Sequence, residues 1–209
     1  LTALADWTAS ATASMTDAQV EHLLSTEHGG MNEVLADVAG KGMPAALIMA
    51  GFRATLRSVA PFSASARQMV LRLNQSLLDT VRPQDFVTAF IGVLNPDTGE
   101  LSYCNAGHNA PIILSANGEV RRLEVGGPVL GILTDTDVEW HEGRLRLQSD
   151  EVLVCYTDGA TEATNGVDEY GEARFIEAVR ENVSLTPYQL CTALYASVLA
   201  KAKTVVWNG

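Results

Sequence analysis

The sequence predicts an α+β fold, with antiparallel sheets covered by helices rather than alternating βαβ units. Three observations carry this. Strand-like and helix-like segments come in the order β, α-α, β-rich, α-α, β. Two hairpin signals, Asn95-Pro96-Asp97-Thr98-Gly99 and Asn117-Gly118, join neighbouring strand-like runs. Two stretches, 44–60 and 65–81, space their apolar side chains at helical intervals.

At the start, 7–15 alternates weakly and is rich in Thr and Ser. Runs 20–28 and 31–38 flank Gly29-Gly30 like a hairpin. The helix over 44–60 has Pro44 in its first turn, where the missing N–H costs nothing. In the helix over 65–81, Met69, Leu73 and Leu77 lie one turn apart. The hairpin signals then place strands within 86–107 and 110–124, and 138–165 supplies two more. Helices follow over 172–183 and 186–202, the second with Thr186 as N-cap and Pro187 at its first position. "KTVVWNG" forms a last strand.

The 209 residues suffice for a sizeable core, and no repeat, linker or low-complexity segment divides them. A single domain over 1–209 is expected, and the start at Leu1 suggests one excised from a longer multidomain regulator. No segment is long and apolar enough to insert in a membrane. The net charge of −11 without a basic run argues against nucleic acid as the partner and is compatible with divalent cations. Cys104, Cys155 and Cys191 are far apart and lack metal-ligand spacing. Cys155, inside "EVLVCYTDG", reads as a small core hydrophobe, and a reduced, cytoplasmic setting is expected.

The chemistry concentrates in two aspartates. Asp37 ends an apolar run in "LADVAGKGMPAALIMAG", just before Gly40-Lys41-Gly42 and a helix. Asp158, in "VLVCYTDGATEA", repeats apolar strand, aspartate, glycine. Taken singly, an Asp beside Gly more often caps a turn. Two strand-end carboxylates together suggest an oxygen site for Mg²⁺ or Mn²⁺. His108, in "NAGHNAP" with Asn105 and Gly107, reads as holding a turn rather than as a general acid. His22, His28 and His141 have no partner pattern. No nucleophile elbow and no phosphate-binding Gly-rich loop of the G-x-x-x-x-G-K-[ST] type occurs.

"DVAGKGMPAAL", "NAGHNAPIIL", "GGPVLGIL" and "YTDGATEATN" occur in that order. Together they resemble the metal-dependent PPM serine/threonine phosphatases, in the bacterial branch typified by the stage II sporulation protein E phosphatase. The resemblance runs from about Trp7 to Trp207. It implies two antiparallel sheets packed as a sandwich flanked by helix pairs, with two Mn²⁺ or Mg²⁺ ions. Asp37 matches the aspartate bridging the ions, the Val38 carbonyl a further ligand, and Asp158 a second metal-binding carboxylate. Gly40 and Gly42 match glycines that let the backbone approach the metals, and Gly159 makes the turn after Asp158. The implied chemistry is attack of a metal-held water on phosphoserine or phosphothreonine. The implied partner is a phosphorylated regulatory protein of the anti-anti-sigma type, in partner-switching signal transduction.

Two motifs of the resemblance are absent. Leu23 and Thr26 stand where carboxylates belong before the first hairpin, and Lys201 and Ala202 near the place of an Asp-Asp pair. A lysine ammonium there would repel a cation. Two readings remain. The chain is a pseudophosphatase serving as a protein-binding module, or the parent protein carries ligand loops at these two places. Retention of Asp37, Asp158 and their glycines favours retained chemistry.

Overall fold

The computed structural model describes residues 20–21, 24–25, 31–39, 43–63, 65–82, 85–134 and 136–201. The segments 7–15 and 203–209, expected as strands, lie outside them. The chain divides into two compact units. The larger comprises the described residues of Met15–Ala110 with Leu123–Gln148, the smaller those of Pro111–Arg122 with Ser149–Gly209.

The larger unit is built on a seven-stranded sheet. Strands β1 (Val20–Glu21) and β2 (Leu24–Ser25) both pair with β3 (Met31–Val38), as the predicted hairpin requires. β3 runs antiparallel to β4 (Val87–Leu94) along its whole length, from Met31↔Leu94 to Val38↔Val87. A turn at Asn95, whose Oδ1 accepts from the N–H groups of Asp97 and Thr98, leads into β5 (Glu100–Ala106). Gly99 there has φ 73°, the left-handed region that glycine enters without penalty.

Helix α1 (Met43–Val59) turns Ala45, Met49, Phe52 and Leu56 into the core. It stops before Pro61, where the chain makes a short 3₁₀ turn, Ala60–Phe62. Helix α2 (Ala66–Leu78) is capped by Ser65, which accepts from Gln68 N and donates to Glu142 Oε2 at 2.5 Å. The same carboxylate oxygen accepts from Arg67 N, so an anion sits where a helix N-terminus favours one. Met69, Leu73 and Leu77 are buried as expected. So is Asn74, whose Oδ1 accepts from Gly131 N at 2.9 Å and whose Nδ2 donates to Leu133 O at 3.0 Å. This amide pins the end of "GGPVLGIL" to α2.

Two short strands complete the sheet. β9 (Gly143–Arg146) is antiparallel to β5. β8 (Gly126–Gly127), in "GGPVLGIL", pairs with β5 in parallel, whereas the other paired strands of this sheet run antiparallel. A Cβ on Gly126 would land on the Asn105 carbonyl, and only glycine permits the approach.

The smaller unit has its own core, on a three-stranded antiparallel sheet in the order β10-β6-β7. β6 (Ile112–Leu114) and β7 (Val120–Arg122) form the hairpin signalled by Asn117-Gly118, with Gly118 at φ 83°. β10 (Val152–Val154) pairs with β6. A four-residue helix, α3 (Asp158–Thr161), precedes α4 (Glu172–Glu181) and α5 (Pro187–Lys201). Thr186 N and Oγ1 both donate to Gln189 Oε1, half of a capping box at the predicted start of α5. Cys155 falls past the end of β10 and is only partly buried. The cysteine of the core is Cys104 on β5, whose thiol burial pushes up to about 12.

Candidate functional site

Asp37 stands one residue from the end of β3, as expected, directly opposite Thr88 on β4. Opposed residues of an antiparallel pair share one face of the sheet. The Asp37 side chain is half-buried, with Oδ1 shielded from solvent. Val38 beyond it is buried, and Ala39 N still donates to Phe86 O at 3.0 Å. The ladder therefore holds the strand end rigidly up to the point where Gly40 and Gly42 leave the described residues.

A knot of polar groups lies along the same strands. Thr88 Oγ1 is 3.0 Å from His108 Nδ1. Asn105, buried at the end of β5, accepts from His108 N at 2.8 Å and donates to His108 O and Leu123 O at 3.0 and 3.3 Å. Gly107, at φ 72°, makes the bend between them. His108 is 7% exposed, and burial lowers its pKa to about 4. A neutral, enclosed imidazole tied to a turn is the structural histidine expected.

Asp158 is placed differently from the strand-end position expected of it. β10 stops at Val154, and Asp158 opens α3 after an extended Thr157. Its backbone carbonyl accepts from Glu162 N at 2.7 Å and Thr161 Oγ1 at 3.2 Å. Its half-buried carboxylate makes no hydrogen bond or ion pair among the described residues. The negative charge of Asp158 raises the pKa of Glu162, with burial and Glu169 adding to the effect. Gly159 is a correction. It sits inside α3 without positive φ, and a Cβ would meet only Thr157 Oγ1 at 3.7 Å, so no glycine-dependent turn exists there.

Both matched side chains offer carboxylate oxygen, the donor that Mg²⁺ and Mn²⁺ prefer. The unneutralised charge on Asp158 and Glu162 suits a cation in kind. In number the set is short: among the described residues, no group of three or more His, Cys, Asp and Glu could hold a metal ion. Leu23, Thr26 and Ala202 lie outside the described residues, while Lys201 ends α5 and is exposed. Two neighbours of the matched aspartates escaped the sequence reading. Glu162 carried a signal, four residues after Asp158; Thr88 carried none, because only strand register sets it against Asp37.

The smaller unit has a second polar tie. Tyr156 Oη donates to Glu172 Oε1 at 2.6 Å, and Arg122 binds both oxygens of that carboxylate. Tyr156 and then Arg122 hold Glu172 below the usual carboxylate range. The tie joins β7, α4 and the segment after β10, and is structural.

This architecture is that of the PP2C phosphatase domains. The SiaA-PP2C domain of Pseudomonas aeruginosa superposes with a TM-score of 0.78 at 17% identity, over 90% of this chain and 75% of that one. The RsbU and RsbW domains of Rv1364c from Mycobacterium tuberculosis give 0.77 at 22% identity, over 95% of this chain and 54% of that one. Residues 27–205 match the family Stage II sporulation protein E (SpoIIE), and the chain belongs to it. It is 30% identical to Protein IcfG of Synechocystis sp. over 179 residues, 72% of this chain and 28% of IcfG. It is 28% identical to Phosphoserine phosphatase RsbU of Bacillus subtilis over 172 residues, 81% of this chain and 50% of RsbU. The chain thus spans half or less of the length of these curated relatives. Among the described residues, no helix is long and apolar enough to cross a membrane.

Proposed function

We propose that this chain is a metal-dependent protein serine/threonine phosphatase domain. Its substrate is a phosphorylated regulatory protein of the anti-anti-sigma type, in a cytoplasmic partner-switching circuit. The observation that carries the reading is the half-buried Asp37 carboxylate at a fully paired strand end, in the family's aspartate position. Similarity to a phosphoserine phosphatase, RsbU, supports the reaction class. RsbX in complex with magnesium, of the same fold, supports a divalent ion, Mn²⁺ or Mg²⁺.

Asp37 with the Val38 carbonyl, and Asp158, are the residues that would supply oxygen ligands to such ions, as the family resemblance implies. When bound, a pair of such ions supplies Lewis acidity toward a phosphoryl group. Pairing of β3 with β4 fixes the direction of Asp37, and buried Val38 keeps water from the strand behind it. The test is p-nitrophenyl phosphate and phosphoserine-peptide hydrolysis with and without Mn²⁺. Asp37→Asn and Asp158→Asn each abolish turnover, a loss of at least about a hundredfold for a group acting in the transition state. Undiminished turnover in Asp37→Asn removes the assignment.

A second reading has one observation of its own, the lack of a three-ligand group among the described residues. In it the domain binds its protein partner without hydrolysis. Background turnover at saturating Mn²⁺, with partner binding intact, selects it.

A further inference from the structure

In the smaller unit, the segment between α3 and α4 is a built loop. Tyr170 N donates to Ala163 O, and Gly171 N to Thr161 O, both at 2.7 Å. Asn165 Oδ1 accepts from the N–H groups of Val167 and Asp168. Buried Tyr170 reaches Ser197 on α5 with its hydroxyl, at 2.7 Å. Arg174 Nη1 donates to the carbonyls of Glu169 and Tyr170. Between this loop, α4 and the end of α5 lies a depression of about 220 Å³, lined by Ala163, Asn165, Asp168, Tyr170, Arg174 and Lys201.

Several cations of this chain, Arg53, Arg67, Arg72 and Arg146 among them, make no ion pair among the described residues; this place differs in that two such cations line one depression. Arg82, Arg121, Arg122, Arg144 and Arg180 each pair with a carboxylate. Arg174 and Lys201 make no ion pair among the described residues, although the chain carries a net charge of −11. Two unpaired cations converge on one depression, and Asn165, its oxygen turned to the loop backbone, keeps its NH₂ as a donor. Asp168 lines the same wall, so the described lining residues carry one net positive charge. A carboxylate neutralises that charge, whereas a phosphoryl dianion would leave an excess negative charge beside Asp168. Val167, at the tip of the same loop, is 87% exposed and offers apolar surface beside the depression.

We propose that this depression receives an Asp or Glu side chain of a docked protein partner, with Val167 as the adjoining contact. The inference deepens the protein-partner part of the proposed function and needs no catalysis. Its test is equilibrium binding to the ¹⁵N-labelled chain without metal, followed by amide shifts. The probes are an acetylated, amidated Ala-Glu-Ala-Glu-Ala peptide, its Gln counterpart and inorganic phosphate. The Glu peptide gives saturable shifts over 163–174 and the last turn of α5, and the Gln peptide gives none. Lys201→Gln, at an exposed helix end without hydrogen bonds to lose, weakens the Glu peptide about fivefold. Asp168→Asn strengthens it about twofold, a gain that misfolding cannot imitate. Equal shifts from the Gln peptide, no response to Lys201→Gln, or displacement of the Glu peptide by an equal concentration of phosphate would overturn the proposal. Because no turnover is measured, failure here is separable from failure of the phosphatase reading.

Discussion

Acid destabilises this protein through one side chain in a defined window. His108 is 7% exposed, with Nδ1 against Thr88 Oγ1 and Nε2 enclosed without a hydrogen-bond partner among the described residues. Burial lowers its pKa from 6.5 to about 4. Between these two values the unfolded chain holds a proton that the folded chain refuses. Stability is therefore unaffected above about pH 6.5 and falls as pH drops toward about 4. Each tenfold difference in proton affinity between folded and unfolded chain is worth about 1.4 kcal/mol, so the full loss is about 3 kcal/mol, of which about 2 kcal/mol is gone by about pH 5. Glu172, whose pKa is depressed, adds an acid loss of its own at lower pH, but that loss is common to the wild type and a His108 variant and cancels in their difference. The assay is urea unfolding of wild type and His108→Gln across about pH 7.5 to 4.5. The variant has a constant penalty from lost packing but no imidazole to charge, so the stability gap narrows as pH falls. A gap that stays flat from about pH 7 to 5, or an imidazole that titrates near its ordinary value by NMR, would refute the reasoning.

Asn74→Ala leaves Gly131 N–H and Leu133 C=O without their buried amide partner, and the expected loss is about 2–4 kcal/mol by urea unfolding; a loss below about 1 kcal/mol contradicts the clamp. Cys104, enclosed and with its thiol pushed up to about 12, resists iodoacetamide in the native protein at about pH 8, while Cys155 and Cys191 are alkylated first; equal rates by mass spectrometry contradict its enclosure.

Helices α1 and α2 were legible because their apolar spacing and end signals agree. Met69, Leu73 and Leu77 are buried where periodicity puts them, and Pro44, Ser65 and Pro61 mark the boundaries. The hairpins at Gly99 and Gly118 were legible because both turns need glycine at positive φ. Asp37 was legible for the same local reason, an apolar run that ends. Asp158 was placed wrongly because strand length is not a local property. The run 152–156 is apolar throughout, but only Val152–Val154 is paired, since β6 is three residues long and follows Pro111. Without a partner the chain turns into α3 instead. β8 was illegible because two glycines have no strand propensity; a parallel approach to Asn105 creates the strand.

Asn105 also settles how this chain can change. Its one side chain grips His108 and Leu123, the residues on either side of the excursion that forms the β6–β7 hairpin. The excursion is thus closed at its base by an amide belonging to the scaffold it leaves. Closing a longer loop on a fixed base adds little, because the entropic cost grows only with the logarithm of its length. The tip at Asn117-Gly118 is therefore a port at which added sequence can be grafted while both anchor points keep their register.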